Sequence, residues 1–310
     1  MTIALQIMSN VKVQMSPTHT LPRGGEGKGG GEYWGKEMKI PFMKMSGSGN
    51  DFILIDHRKP ILSENQMKEF AQKVCRRRIS VGADGLILIE PSKKADFKWR
   101  YFNADGSEAE MCGNGGRCAA RFANIKGITG SSLTFETLAG MLSAQVNGKR
   151  VKLELTKPHS LKLDETILVE GREKSLSSIN TGVPHAVCFL EDIERVDVLG
   201  VGRAIRHHPH FAPSGTNANF VRVENSSQFS IRTYERGVED ETLACGTGAV
   251  ASTLVAAFKG FVRSPVSIKT RGGEVLMVYF EIEGEEVKRV FFEGDVHIIY
   301  EAEMWEEAYQ

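Results

Sequence analysis

Two short turns, half a chain apart, repeat one pattern. Ala109-Glu110-Met111-Cys112-Gly113-Asn114-Gly115-Gly116 opens one run of small and apolar residues, and Leu243-Ala244-Cys245-Gly246-Thr247-Gly248-Ala249 opens another. Both read Cys-Gly-(Asn or Thr)-Gly after an acidic stretch, near the same relative place in each half of the 310 residues. Such an echo implies two related halves, each setting a cysteine at the start of a helix. A cysteine in that position meets the positive end of the helix dipole and free backbone N–H groups, which favour the thiolate. The flanking glycines let those amides approach a ligand closely. A carboxylate can then rest on the N–H groups of Gly113 and Asn114, or of Gly246 and Thr247. Either turn alone is better read as a tight strand-to-helix connection with an inert cysteine, because free cysteine is usually buried filler.

Two copies reverse that weighing. If the halves pack about a pseudo-twofold axis, the thiols face each other across one ligand. A thiolate then removes a Cα proton from one face while the opposite thiol donates to the other. The carbanion's charge spreads into a carboxylate that two helix N-termini stabilise together. The pair holds one proton between its members, so their titrations are coupled. Cys112 and Cys245 are therefore the candidate catalytic residues.

Composition narrows the partners. Hydrophobic residues make up 41% and charged residues 25%, and 39 basic residues balance 39 acidic ones. A neutral chain of this kind argues against nucleic acid or an anionic membrane as the main partner. No apolar run approaches the ~20 residues of a membrane helix, and the first ten residues lack a signal-peptide pattern. The five cysteines, at 75, 112, 118, 188 and 245, are odd in number and form no Cys-x-x-Cys, so neither a disulfide framework nor a zinc site fits. Free thiols point to a cytoplasmic protein. The Gly-rich stretch 24–31 marks residues 1–37 as a flexible N-terminal tail, with the folded sequence starting at Met38.

From Lys39 onward short strand-like runs dominate: Phe52–Asp56, Leu86–Glu90, Leu133–Thr137, Val151–Leu155, Ala186–Leu190, Gln228–Tyr234, Val275–Phe280 and Val296–Tyr300. Asn147-Gly148 and Glu283-Gly284-Glu285 read as hairpin turns. Four segments read as helices: Glu64–Arg76, Asn114–Ile125, Leu199–His207 and Thr247–Phe258. Many strands, few helices and hairpin turns predict an α+β fold with mainly antiparallel pairing, not a βαβ array. Lys157-Pro158 is the expected hinge between residues 38–156 and 157–295.

Around the two cysteine turns the sequence resembles the diaminopimelate epimerase family from about Met38 to the C-terminus. The resemblance is carried by Gly47-Ser48-Gly49-Asn50-Asp51-Phe52, Gly82-Ala83-Asp84-Gly85, Phe102-Asn103-Ala104-Asp105-Gly106-Ser107-Glu108, Val183-Pro184-His185, Gly215-Thr216-Asn217-Ala218-Asn219-Phe220 and Tyr234-Glu235-Arg236-Gly237. It implies conversion of LL- to meso-2,6-diaminopimelate without pyridoxal phosphate or metal, on the route to lysine and, in bacteria, peptidoglycan. The implied fold is two similar halves, each a curved mixed sheet around a central helix, with the C-terminal strand 296–310 returning to the first half. By motif match, Asn50, Asn103, Asn217 and Arg236 hold the substrate, largely at its non-reacting end. Gly113, Asn114, Gly246 and Thr247 cradle the reacting carboxylate. His185 and Glu235 stand beside the cysteines and tune them, Glu235 also touching substrate, and Tyr300 falls at a homodimer interface. The residue types suit this work: Asn offers both donors and acceptors, and Arg236 a planar fork for a carboxylate. Gly85 and Val183 depart from the Gln and Asn of some members, and Thr247 replaces a Ser.

Other features read more plainly. Cys75, Cys118 and Cys188 are expected in the core. His207-His208-Pro209-His210 suggests a metal cluster, but Pro209 breaks the helix that would align ligands, leaving a solvated loop. Arg76-Arg77-Arg78 reads as a basic helix end. His185 reads almost as well as a hydrogen-bonded structural residue, and Glu235-Arg236 as a surface ion pair. Two other functions share the paired thiols: a proline racemase or hydroxyproline epimerase, where His typically stands in place of Asn114, and a redox sensor whose facing thiols form a disulfide.

Overall fold

A computed structural model of the chain describes residues 39–310; the expected tail 1–37 and Met38 lie outside them. The described elements run β1 (Ile40–Gly47), β2 (Asn50–Asp56), α1 (Glu64–Val74), β3 (Gly85–Glu90), β4 (Phe97–Asn103), α2 (Gly113–Ile125), β5 (Ser132–Thr137), β6 (Gly140–Asn147) and β7 (Arg150–Glu154). After β8 (His159–Val169) the same order returns: β9 (Arg172–Asn180), β10 (Pro184–Phe189), α3 (Val198–Arg206), β11 (Asn217–Asn225), β12 (Gln228–Glu235), the short β13 (Asp240–Thr242), α4 (Gly246–Phe258), β14 (Val266–Lys269), β15 (Val275–Glu283) and β16 (Glu286–Met304). The duplicated cysteine turns thus belong to a duplicated architecture.

The strands form one connected sheet. β1 to β7 pair in chain order, and β16 closes them into a ring by pairing with β7 (Phe291↔Glu154 to Asp295↔Arg150) and with β1 (Val296↔Gly47 to Met304↔Ile40). On its other flank β16 pairs with β15, and the sheet continues through β14, β12, β11, β10 and β9 to β8. α2 lies inside the first ring and α4 inside the second curve. α4 is buried without a break from Gly248 to Ala256, and α2 from Asn114 to Ala120. Helices apolar on all sides need such enclosure.

The strand runs follow from the same geometry. In β2, Phe52 and Leu54 face α2, while Ile53 and Ile55 face the outer helix α1. In β3, Ile87 and Ile89 face inward, and Leu86 and Leu88 outward. A strand covered on both faces reads as a continuous apolar run. α1 buries only Met67, Phe70, Ala71 and Val74, an i, i+3, i+4, i+7 stripe, and Ser63 closes its N-terminus with a capping box. Both expected hairpins are present, Asn147 pairing with Arg150 and Glu283 with Glu286.

The α+β class and the four helices match expectation to within two residues at each end, but the helices' role differs. The pairs β2–β3, β4–β5, β10–β11 and β12–β14 are parallel, and each is bridged by one helix. Four right-sized crossovers are therefore set into an otherwise antiparallel sheet, because a parallel neighbour can be reached only by crossing over. β16 is also far longer than the expected Val296–Tyr300, since it serves both halves. Arg76-Arg77-Arg78 lies beyond the end of α1, and Arg77 forks onto Asp51 (2.6 Å) and Asp84 (2.8 Å).

Phe292 of β16 lies beneath both cysteine turns. A Cβ at Gly246 would come within 2.9 Å of its ring, and one at Gly113 within 3.8 Å. Phe292→Ala is expected to lower stability by about 3–5 kcal/mol and to weaken the catalytic site with it. Urea unfolding measures the first; a loss under 1 kcal/mol would show that the ring does not support the turns.

Candidate active site

Each cysteine is the N-cap of its helix, with extended backbone (φ −147° for Cys112, φ −117° for Cys245). The Gly115 amide donates to Cys112 Sγ at 3.4 Å, and the Gly116 amide to the Cys112 carbonyl at 2.7 Å. In the second turn, Cys245 Sγ lies 3.6 Å from Thr247 Oγ1, and the Ala249 amide donates to the Cys245 carbonyl at 2.9 Å. Helix geometry leaves the amides of Gly113 and Asn114, and of Gly246 and Thr247, without intrahelical acceptors. The turns adjoin: a Cβ at Gly246 would sit 3.3 Å from Asn114 Oδ1.

Glu235, the last residue of β12, lies near the cysteine turns. Its carboxylate accepts from Thr242 Oγ1 at 2.9 Å and acts on Cys245 nearby. Its charge also acts on Cys112. The surface ion pair Glu235–Arg236 does not form; Arg236 Nη1 donates to the Ser214 carbonyl at 3.1 Å.

The expected thiolate-favouring turns behave otherwise. Burial pushes the Cys245 thiol up to about 12, reinforced by Glu235 and only partly offset by the Thr247 hydroxyl and the Gly248 amide. Burial raises Cys112 as well, against the Gly115 and Asn114 amides and the Arg117 cation. Desolvation of an anion outweighs two amides and a helix end. Burial likewise raises Glu235.

The remaining candidates occupy distinct stations. Asn50 Nδ2 donates to Asp84 (3.1 Å), and its Oδ1 accepts from Asn114 Nδ2 (2.6 Å). Asn103 Oδ1 accepts from the Tyr101 hydroxyl at 2.8 Å, and Tyr101 feels the charge of Cys112. Asn217 staples two strands, donating to the Pro184 carbonyl (3.0 Å) and accepting from the Arg236 amide (2.8 Å). His185 is fully buried; its Nδ1 lies 3.2 Å from Asn219 Nδ2, and its Nε2 has no partner among the described residues. Asn219 Oδ1 in turn lies 2.4 Å from where a Cβ on Gly248 would stand. His185 therefore reaches the second turn through Asn219. Tyr300, on β16, is 42% exposed.

Sequence reading missed Arg117, Phe292, Tyr101 and Asn219 as parts of this site. Asn219 lay within a quoted motif; the others carried no local signal. Gly85 is explained: a Cβ there would meet the Tyr101 ring at 2.5 Å. His207, His208 and His210 turn to separate partners, Glu239, the Leu168 carbonyl and Glu165, and Cys75, Cys118 and Cys188 are buried.

The sequence profile described as diaminopimelate epimerase matches residues 42–160 and 177–298. The chain belongs to the diaminopimelate epimerase family. The diaminopimelate epimerase of Aquifex aeolicus (strain VF5) is 50% identical over 280 residues, covering 86% of this chain and 99% of that one. That of Hydrogenobaculum sp. (strain Y04AAS1) is 47% identical over 270 residues, covering 83% and 96%. Among solved structures, a Bacillus anthracis phenazine biosynthesis protein of the PhzF family superposes with TM-score 0.65 at 19% identity, covering 86% of this chain and 99% of that one. A hydroxyproline epimerase from Agrobacterium vitis with bound trans-4-hydroxy-L-proline gives 0.65 at 14%, covering 88% and 94%. At such identities these neighbours show a shared fold, which the diaminopimelate epimerase family member described here builds from its own duplicated halves.

Burial, with Arg236 adding to it, holds His185 down at about 3, below its ordinary 6.5. Folding therefore keeps it neutral while the unfolded chain takes up a proton below pH 6.5. Its contribution is full above that pH and lost as pH falls toward 3, at up to about 1.4 kcal/mol per pH unit. Urea unfolding between pH 6 and pH 4 should show this slope, and His185→Gln should flatten it; equal slopes in both proteins would count against a neutral buried imidazole.

Proposed function

We propose that this isomerase converts LL-2,6-diaminopimelate to meso-2,6-diaminopimelate by two-base proton transfer between Cys112 and Cys245, with no cofactor. The observation that carries the reading is that the two cysteine turns, each the N-cap of a matching helix, adjoin: a Cβ at Gly246 would sit 3.3 Å from Asn114 Oδ1, over the Phe292 ring that also underlies Gly113. One thiolate takes the Cα proton, and the thiol opposite delivers its own to the other face. The negative charge that develops on the substrate carboxylate meets the amides of Gly113 and Asn114 and of Gly246 and Thr247, which are fixed before reaction begins. Asn50, Asn103, Asn217 and Arg236 hold the distal centre, so that the near Cα stays between the thiols. His185 and Glu235 set the polarity around them. Burial raises both thiols, so the thiolate that forms is a strong base, and the water-poor site strengthens each dipole aimed at the carbanion.

In this reading the enzyme works in the cytoplasm on the route to lysine and peptidoglycan precursors, independently of nucleic acid. No helix among the described residues is long and apolar enough to cross a membrane. It acts as a homodimer through the face holding Ile298, Ile299 and Tyr300, which are 41%, 54% and 42% exposed; adjacent exposed apolar residues mark an interaction surface.

Incubation of LL-diaminopimelate in D2O tests the chemistry. Early meso product should carry deuterium at Cα, because the donating thiol exchanges with solvent, while recovered LL substrate stays largely protiated. Cys112→Ala and Cys245→Ala should each lose at least about a thousandfold in epimerisation. Product formed without deuterium, or activity surviving either substitution, defeats the two-thiol mechanism; turnover of proline instead would reassign the substrate. Light scattering should give twice the chain mass for the wild type and the single chain mass for Tyr300→Glu, and an unchanged mass would place the interface elsewhere.

A further inference from the structure

Arg117 stands outside the reaction just described, yet it is completely buried on α2, pointing toward β16 and the β1–β2 turn. Its Nη2 donates to Asn114 Oδ1 and to Ser48 Oγ, both at 2.7 Å, and its Nη1 to the Asp295 carbonyl at 3.2 Å. The guanidinium lies 4.5 Å over the Phe292 ring, and Nε has no partner. Among the described residues no carboxylate bonds it; the nearest acidic link is Glu274, which accepts from Ser48 Oγ at 3.1 Å. Room is kept for it as well: a Cβ at Gly294 would lie 2.3 Å from Nη1. An unpaired buried cation is costly, and an apolar side chain of similar volume would fill the space more cheaply. The arrangement calls for a use.

Its hydrogen bonds lead to the first cysteine turn, through Asn114. Asn114, gripped from behind by Arg117, donates its side-chain amide to Asn50, which is held in turn by Asp84. The Gly115 amide of the same turn donates to Cys112 Sγ at 3.4 Å. The second turn has the opposite neighbour, the Glu235 carboxylate, held by Thr242 and acting on Cys245. A cation therefore backs Cys112 and, among the described residues, none backs Cys245, where Glu235 is the charged neighbour. We propose that Arg117 is a positioning residue of the first turn: it orients Asn114 and, as a buried cation with no bonded carboxylate, makes Cys112 rather than Cys245 the sulfur that ionises first. This rests on the two-thiol reading above. The proton lost from Cys112 goes to solvent, and Cys245 keeps its own.

The groups facing Cys112 are Arg117 and Cys118 from its own helix, Tyr101 from β4 and Glu235 from β12. Arg117 itself is faced by Glu274 and by Asp295 of β16. Of these only Arg117 is positive, so its removal has one direction of effect. The pull on Cys112 comes from Arg117, and no such pull acts on Cys245, where Glu235 pushes the other way.

Alkylation by iodoacetamide across pH, with each cysteine followed by peptide mass, tests this without turnover. In the wild type the Cys112 midpoint should lie below that of Cys245. In Arg117→Met it should rise by about one pH unit, making alkylation at a fixed pH below the midpoint about tenfold slower, while Cys245 stays within about twofold. Arg117→Lys should keep the Cys112 midpoint near that of the wild type but lower kcat about tenfold with little change in KM, because the ammonium lacks the fork that grips Asn114 and Ser48 together. A merely structural arginine would lower melting temperature and leave the midpoints in place, and that result overturns the proposal, as does a wild type in which Cys245 titrates first. Should Arg117→Met fail to fold, the wild-type order and Arg117→Lys decide. An enzyme inactive on diaminopimelate but showing these midpoints would refute the proposed function and leave Arg117's role intact.

Discussion

Everything at the centre of this molecule depends on β16 being shared. A single strand closes the ring around α2 by pairing with β7 and β1, and it also begins the curve around α4 by pairing with β15. Backbone hydrogen bonds on both flanks fix its register, so Phe292 has a set place between two helices that are far apart in sequence. The helix N-termini come together because each is enclosed by strands that end on the same backbone. Without that common strand the two halves would each bury a cysteine and neither would meet the other.

Enclosure has an electrostatic consequence. In water, a helix N-terminus and two amides would favour a thiolate; inside this fold the loss of solvent outweighs them, and both thiols are raised. A site of raised thiols is still suited to proton transfer, since a less stable thiolate is a stronger base once formed. What distinguishes the two sulfurs is the cation beside one of them: Arg117 acts on Cys112, whereas Cys245 has, among the described residues, only the Glu235 charge. The local repeat is nearly symmetric, but its surroundings are not.

Much of the site was legible because its residues lie in local motifs. Cys112, Gly113 and Asn114, and Cys245, Gly246 and Thr247, announce a helix start whatever surrounds them, and both turns are found there. The four helices were legible through their periodicity. β8 and β9 were not, as His159–Val169 and Arg172–Asn180 are largely exposed and polar on one face and lack a strong apolar alternation. β4 was overlooked although Phe97, Trp99 and Tyr101 alternate, because Lys98 and Arg100 between them dilute the run. Arg117 was invisible as a functional residue: in a helix, a lone arginine is ordinarily a solvated side chain, and only the facing Gly294 and the ring of Phe292 make it a buried one.

The sequence by itself determined that each cysteine opens a helix, the α+β class and the existence of two halves, because turn residues and apolar period act over a few neighbours. Tertiary structure alone decided how those turns meet, which way each thiol's protonation is pushed, and which charge backs which sulfur. The physical reason is that desolvation and Coulomb interactions depend on distances between segments far apart in the chain, and those distances exist only once β16 has joined the two sheets.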